Sequence, residues 1–211
     1  MIRRRVLGLG ASLLALLGCA RRAPIAPAED PALERIVIDT REPELFAAGH
    51  VPGAINIQLG WGQLLGRARA YVPELSTPLA LVCSDQDEAE RAAAVLADLG
   101  YQDVALHEGA LASEDELELW TTDELDARLE ADPDLVVIDV RTQGEWDNGV
   151  LDGALLFHED EAPALAAELD RSKRYAIICE GGWRSSQLAS WMRREGFEHA
   201  VNVIDGMAGY R

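Results

Sequence analysis

The chain has 211 residues, of which 48% are hydrophobic and 27% charged, and its formal net charge is -18. This composition is sufficient for one sizeable core or two small ones, and it argues against a disordered protein. A strongly acidic surface repels a phosphate backbone, so the balance of charge also argues against a nucleic-acid partner.

The first 18 residues have the pattern of an export signal. Arg3, Arg4 and Arg5 precede an apolar run at 6–17 that is too short for a comfortable membrane-spanning helix. The run leads to Gly18-Cys19, which resembles the lipobox of bacterial lipoproteins. An ordinary secretory signal or an uncleaved anchor is the alternative. The interpretation has three parts: a lipoprotein signal peptide at 1–18, lipidation of Cys19, and a proline-containing tether at 19–30.

The lipobox resemblance also implies a location. A lipidated Cys19 would hold the protein in the cell envelope, with the lipid anchor as its only contact with the membrane. The next residue is Ala20, not the Asp often associated with retention in the inner membrane. The expected location is therefore the periplasmic face of the outer membrane.

An internal duplication divides the rest of the chain. The segment from Ile36 to Arg41 returns as Val136 to Arg141, and a glycine-alanine pair follows in both places. Each half later carries one cysteine directly after an apolar run, Cys83 in the first and Cys179 in the second. Two domains of one design are predicted, at 31–112 and 119–211, with an acidic linker at 113–118.

Each half is predicted to be a small α/β unit. Short runs rich in Val and Ile are typical of buried parallel strands. In the second half these runs lie at 135–140, 175–178 and 200–204. Helices are predicted at 87–98 and 185–194, and Gly100 and Gly196 are expected to stop them. A further helix is predicted to start at Thr121. Alternating strands and helices indicate an α/β fold in which each domain has a small parallel sheet flanked by helices.

Cys179 is the candidate nucleophile. It follows an apolar strand, two glycines come soon after it, and Arg184 leads into a predicted helix. A loop at a helix N-terminus directs backbone N–H groups and partial positive charge at its centre, so a thiol there should ionise more readily than a free cysteine. Arg184 would add a full positive charge.

These residues resemble the rhodanese family. Its active loop runs from Cys over four residues to Arg, with Gly three places after the Cys, and Cys179, Gly182 and Arg184 fit that pattern. Further matching residues are Asp139, Arg141, Trp146, Gly206, Gly209 and Tyr210. The resemblance covers nearly everything after residue 30 and implies two tandem rhodanese-like domains.

The resemblance implies sulfur transfer by double displacement. The Cys179 thiolate would take the outer sulfur of a donor such as thiosulfate, hold it as a persulfide and pass it to a thiophilic acceptor. The implied substrate-binding residues are Glu180, Gly181, Gly182, Trp183 and Arg184, with Arg184 binding the anionic donor or the departing sulfite. No metal or organic cofactor is implied. A monomer is expected, because the duplication already pairs two domains.

Three other functions are considered. Phosphatases and arsenate reductases of related fold place five residues between Cys and Arg, where this chain has four. A sulfur-relay or protein-binding module would exchange sulfur with a thiol-bearing partner protein. A redox sensor would use the reactive thiol, or a disulfide between Cys83 and Cys179, as its signal.

The loop of the first half is predicted to be catalytically inactive. Cys83 is followed by Ser84-Asp85-Gln86-Asp87-Glu88, which has neither glycine nor arginine, and its carboxylates should raise the pKa of the thiol. In the second half, Glu180 puts a negative charge next to the nucleophile, which would disfavour thiosulfate. The Asp-x-Arg pairs at Asp39 and Asp139 are interpreted as structural ion pairs.

Overall fold

The computed structural model describes residues 25, 34–60, 64–107 and 115–211. The predicted signal peptide and Cys19 lie outside these residues, as does all of the tether except Ile25. Within the described part, no helix is long and apolar enough to cross a membrane.

The strands of the described residues form two parallel sheets, one in each half of the chain. The first sheet has the order β2-β1-β3-β4 and consists of β1 (Ile36–Asp39), β2 (Ile55–Asn56), β3 (Leu79–Val82) and β4 (Val104–Leu106). The second has the order β5-β9-β8-β6-β7 and consists of β5 (Leu119–Trp120), β6 (Val136–Asp139), β7 (Leu155–Leu156), β8 (Tyr175–Ile178) and β9 (Ala200–Val203). The predicted α/β fold with two parallel-sheet domains is confirmed.

Helices connect the strands. They are α1 (Pro43–Ala47), α2 (Ala68–Tyr71), α3 (Gln86–Asp98), α4 (Thr122–Ala131), α5 (Gln143–Trp146), α6 (Ala162–Ala166) and α7 (Trp183–Arg194). Short 3-10 turns lie at Leu64–Arg67 and Gly206–Tyr210. The predicted helix start at Thr121 is confirmed as a capping box, in which Thr121 Oγ1 accepts from the Glu124 N–H at 3.2 Å and Glu124 Oε2 accepts from the Thr121 N–H at 2.8 Å.

Helix α7 lies between the two halves. Two of its serines bond Asn56 of the first sheet: Ser190 Oγ accepts from the Asn56 N–H at 2.9 Å, and Ser186 Oγ donates to Asn56 Oδ1 at 2.6 Å. All three residues are buried. Since apolar contacts also run without a break from the first core to the face of the second sheet beneath α7, the halves share one packed interior.

In the second half, the strand that corresponds to β2 is exposed. Strand β7 occupies the place in its sheet that β2 has in the first, yet Leu155 is 37% exposed and Leu156 is 42% exposed. The two halves therefore do not pack as a symmetric pair. Within the predicted linker, Glu116 and Glu118 are exposed as expected, but Leu117 is buried in the core.

Candidate active site

Cys179 lies at the carboxyl end of β8, in the centre of the second sheet. Its side chain is fully buried, and Ser185 Oγ, in the first turn of α7, donates to Cys179 Sγ at 3.3 Å. A hydroxyl in this position can also donate to a negatively charged sulfur. Ser185 was not among the site residues predicted from the sequence, although it directly follows Arg184.

Three carbonyl groups of the loop are hydrogen-bonded to residues outside it. Cys179 O accepts from the Met207 N–H at 2.8 Å, Glu180 O from the Ala208 N–H at 3.0 Å, and Gly182 O from Asn202 Nδ2 at 3.1 Å. In a planar trans peptide the N–H points opposite to the carbonyl. The N–H groups that follow these carbonyls are therefore turned to the other side, as a loop that holds an anionic sulfur requires.

Glycine is required at two positions around this loop. Gly182 has a φ of 88°, and a Cβ there would collide with the Ile204 carbonyl oxygen. Gly206 has a φ of 57°, and a Cβ there would lie 2.5 Å from the Glu180 carbonyl carbon. The 3-10 turn that begins at Gly206 can therefore rest directly on the backbone of the loop.

The loop of the first half is occupied by its own carboxylates. Asp85 caps α3 by accepting from the Glu88 N–H at 2.7 Å, and Glu88 Oε2 accepts from the Ser84 N–H at 2.8 Å. By contrast, Gly182 gives α7 no side-chain cap. Two amides that could hold an anion beside Cys83 are thus bonded to carboxylates of their own loop, whereas the N-cap residue of α7 provides no side-chain acceptor.

A second feature disfavours the thiolate of Cys83. Burial raises the pKa of its thiol to about 11, and the charges of Glu88, Asp39 and Asp85 add to the increase. The expected direction is confirmed, but burial contributes more than the carboxylates that the sequence pointed to. Cys83 and Cys179 are both free thiols.

Arg184 makes ion pairs with two carboxylates. Its Nη2 lies 2.6 Å from Glu145 Oε1, and its Nη1 lies 2.7 Å from both Glu145 Oε2 and Glu159 Oε2. Although burial opposes the charge, the bonds to Glu145 and the charge of Cys179 raise the pKa of Arg184. The hydrogen bond from Arg184 lowers the pKa of Glu145 to about 2, against the effect of burial. Arg184 thus meets protein carboxylates where the sequence led us to expect a donor anion.

The first half contributes to the same ion-pair cluster. Arg67 Nη2 bonds Glu159 Oε1 across the boundary between the halves, and Arg67 Nε lies 3.5 Å from Asp160 Oδ1. Burial raises the pKa of Tyr71, which also responds to the charges of Arg67, Glu159 and Cys179, so this phenol lies in the same region. These residues come from distant parts of the chain and carry no local signal, which is why they were not predicted as site residues.

The carboxylate of Glu180 is compensated. Its Oε1 lies 2.6 Å from Arg211 Nη1, and its Oε2 lies 3.7 Å from Arg141 Nη1. The expected negative charge beside the nucleophile is therefore paired, and Glu180 is not the main source of negative charge in the site. That role belongs to the carboxylates around Arg184.

The Asp-x-Arg pairs form the predicted structural frame. Arg141 Nη2 lies 2.8 Å from Asp139 Oδ2 and donates to Gly149 O at 2.6 Å; Arg41 Nη2 lies 2.6 Å from Asp39 Oδ2. Each arginine thereby ties the end of a strand to the turn after the next helix. The predicted ion pairs are present in both halves, and their structural role stays an interpretation.

Trp183 connects the loop with the first half. Its Nε1 donates to Glu42 Oε2 at 3.2 Å, and its ring covers Gly181 so closely that a Cβ there would lie 2.8 Å from Cζ3. The loop residues from Glu180 to Arg184 therefore all lie around the nucleophile, but their role in binding substrate stays a prediction.

The structure thus defines a class of protein with two α/β domains. In the second domain, the loop that begins at Cys179 leads directly into a helix. The sequence profile of the rhodanese-like domain matches residues 26–113 and 121–211. The chain belongs to this family.

Three curated relatives each match less than half of this chain. "Putative sulfurtransferase YtwF" of Bacillus subtilis (strain 168) is 33% identical over 95 residues, which are 45% of this chain and 91% of the relative. A sulfurtransferase of Allochromatium vinosum is 25% identical over 42% of this chain and 83% of its own length. A tRNA uridine(34) hydroxylase of Erwinia tasmaniensis is 31% identical, but the match spans only 26% of that protein.

Among solved structures, a rhodanese-like domain protein of Staphylococcus aureus is 32% identical over 45% of this chain and 92% of its own, with a TM-score of 0.42. A thiosulfate sulfurtransferase of Pseudomonas aeruginosa is 23% identical over 84% of this chain and 39% of its own, with a TM-score of 0.36. The family match and the relatives named sulfurtransferases support sulfur transfer as the general activity.

Proposed function

We propose that the chain is a sulfurtransferase in which Cys179 carries sulfur as a persulfide. The thiolate attacks the outer sulfur of a donor such as thiosulfate, the S–S bond of the donor breaks, and its electron pair leaves with sulfite. A thiophilic acceptor such as cyanide then takes the outer sulfur and restores the thiolate.

The observation that carries this proposal is the polar surrounding of Cys179 Sγ. Ser185 donates to the sulfur at 3.3 Å, and the adjacent loop turns its carbonyls away to bond Met207 and Ala208. A terminal persulfide sulfur is also an anion and requires the same donors. The corresponding donors beside Cys83 are bonded to carboxylates, so one of the two loops is proposed to be active.

Access to Cys179 requires a movement of its cover. The residue is 0% exposed, and Trp183 and Arg67 connect the loop region to the first half. We expect a small donor to enter when these contacts between the halves loosen, as active-site covers commonly do.

The decisive experiment follows sulfur onto the protein. Wild type, Cys179→Ser and Cys83→Ser are incubated with thiosulfate and with several other sulfane-sulfur donors, and intact mass is measured before and after cyanide. We expect the wild type and Cys83→Ser to gain one sulfur atom that cyanide removes, and Cys179→Ser to gain none. A wild type that is labelled by no donor would refute sulfur transfer.

The same assay addresses the alternatives. A labelled protein that gives its sulfur to a protein thiol but not to cyanide would indicate a relay module. Native protein that contains a Cys83–Cys179 disulfide under non-reducing mass analysis would favour the redox sensor.

From the sequence pattern, we also propose that Cys19 is lipidated and holds the protein at the periplasmic face of the outer membrane. Labelling cells with a fatty acid should mark the wild type but not Cys19→Ser, and gradient fractionation should place the label in the outer membrane. Soluble wild-type protein without lipid would contradict this.

A further inference from the structure

The charges around Cys179 suggest which donors it accepts. Arg184 uses both terminal nitrogens on Glu145 and Glu159, in the two-pronged geometry that gives the strongest ion pairs. Glu159 is only 9% exposed and Glu145 is 27% exposed, so water screens these pairs weakly. The positive charge of Arg184 is therefore already compensated before a donor arrives.

The other arginine of the cluster is compensated too. Arg67 pairs with Glu159 and lies 3.5 Å from Asp160 Oδ1. Two guanidinium groups of this cluster thus face the three carboxylates Glu145, Glu159 and Asp160. The pairs that Glu180 makes with Arg211 and Arg141 add no uncompensated positive charge on the other side of the loop.

An incoming dianion would be at a disadvantage here. To bond Arg184 it would have to displace a carboxylate that stays nearby and repels it. A donor with a single negative charge on its sulfane sulfur needs only backbone amides of the loop and the Ser185 hydroxyl, and it can bind them without displacing a carboxylate from Arg184. The free energy needed to bring a donor into the site therefore rises with each further negative charge on the donor.

We propose that the Cys179 site selects sulfane-sulfur donors that carry no more than one negative charge, such as organic thiosulfonates, over the thiosulfate dianion. Because this selectivity concerns the sulfur transfer proposed above, it rests on that function. Cys179 S⁻ attacks the outer sulfur of R–SO2–S⁻, a new S–S bond forms, the old one breaks, and its electron pair leaves with the sulfinate R–SO2⁻. Charge and atoms balance without an oxidant or reductant.

Three donors with the same reacting group test the proposal. Thiosulfate carries two negative charges, methanethiosulfonate carries one, and thiotaurine has no net charge because an ammonium group balances its thiosulfonate. The rate at which each labels Cys179 is divided by its rate with free N-acetylcysteine, which removes differences in intrinsic reactivity. We expect thiotaurine to exceed methanethiosulfonate, and methanethiosulfonate to exceed thiosulfate by about tenfold.

Two variants show whether the carboxylates cause the preference. Glu145→Gln and Glu159→Gln should each raise the ratio of the thiosulfate rate to the thiotaurine rate by about tenfold. Easier access alone would change all donors equally and leave the ratio unchanged. Glu130→Gln removes one exposed negative charge from α4, which packs on the opposite face of the sheet, and should keep the wild-type ratio.

The outcomes are distinct. Equal normalised rates for thiosulfate and thiotaurine in the wild type would overturn the proposed selectivity and leave sulfur transfer intact. A ratio that stays unchanged in both Gln variants would also overturn it. Absence of labelling by all three donors would instead refute the sulfurtransferase function itself.

Discussion

At the residue scale, the hydroxyl of Ser185 donates directly to the sulfur of the proposed nucleophile, Cys179. Replacing it in Ser185→Ala should remove a hydrogen bond to a charged group, worth about 2 kcal/mol, and slow labelling of Cys179 by about tenfold or more. Ser185→Thr keeps a hydroxyl and should recover part of the rate. If the Ala variant labels as fast as the wild type, the hydroxyl does not stabilise the thiolate or the persulfide.

Cys83 provides a test of pH dependence. Burial raises the pKa of its thiol to about 11, and the thiolate is the form that reacts. In the Cys179→Ser variant, alkylation of Cys83 by iodoacetamide should therefore keep accelerating up to about pH 11 in the native protein. In urea the curve should level off near the ordinary value of 9.0. Coinciding curves would show that the native surroundings of Cys83 do not disfavour its thiolate.

Single residues were predictable where the chain itself places them together. Cys179, Gly182 and Arg184 stand in one loop, and their spacing was readable. The partners of Arg184 could not be predicted, because Glu145 and Glu159 reach it only through the packing of the second domain. The two carboxylates that pair with the Arg184 guanidinium were therefore not predicted, and its role in binding a donor stays a prediction.

At the element scale, the turn from β8 into α7 depends on Gly182. Gly182→Ala would force a side chain into a φ of 88° and against the Ile204 carbonyl. We expect a loss of about 2–4 kcal/mol in the free energy of unfolding, measured by urea denaturation, and loss of Cys179 labelling.

Gly144→Ala is the matched control. It lies in α5, where an added Cβ would have no atom within 4 Å, so the variant should be neutral or slightly stabilised. An equal loss in both variants would contradict the special role of Gly182.

The prediction of elements was accurate for long, periodic segments. The helix predicted at 185–194 is α7, which begins two residues earlier because Gly182 already turns the chain into it. Strand β5 was not predicted, since two residues contain no detectable period, and it exists because β9 offers it a pairing edge.

At the scale of the whole molecule, Arg67 ties the first half to the second through its ion pair with Glu159. Arg67→Ala should leave Glu159 with one arginine, lower the free energy of unfolding by about 1–3 kcal/mol and make Cys179 faster to alkylate. Arg91→Ala, which removes an exposed arginine from α3 of the same half, should change neither quantity. Unaltered alkylation in Arg67→Ala would mean that this ion pair does not restrict access.

The duplication was visible in the sequence, but the way the halves meet was not. Repeated motifs predict two copies of a fold and say nothing about which faces touch. The seam between β2 and α7 depends on Asn56, Ser186 and Ser190, residues that are unremarkable in sequence and are complementary only after folding.

The position of α7 between the two sheets limits which recombinations of the gene for this chain would preserve the contacts of α7. Its N-terminus cradles Cys179, its middle bonds Asn56 of the other half, and Arg194 near its end donates to Gly53 O at 2.9 Å. A crossover in the linker that replaced the first half with another rhodanese-like domain would preserve every residue of the Cys179 loop. It would still remove Asn56, Glu42 and Arg67, which contact α7, Trp183 and Glu159. The unit that can be inherited as a working module is thus the pair of domains, although only one of them holds the proposed nucleophile.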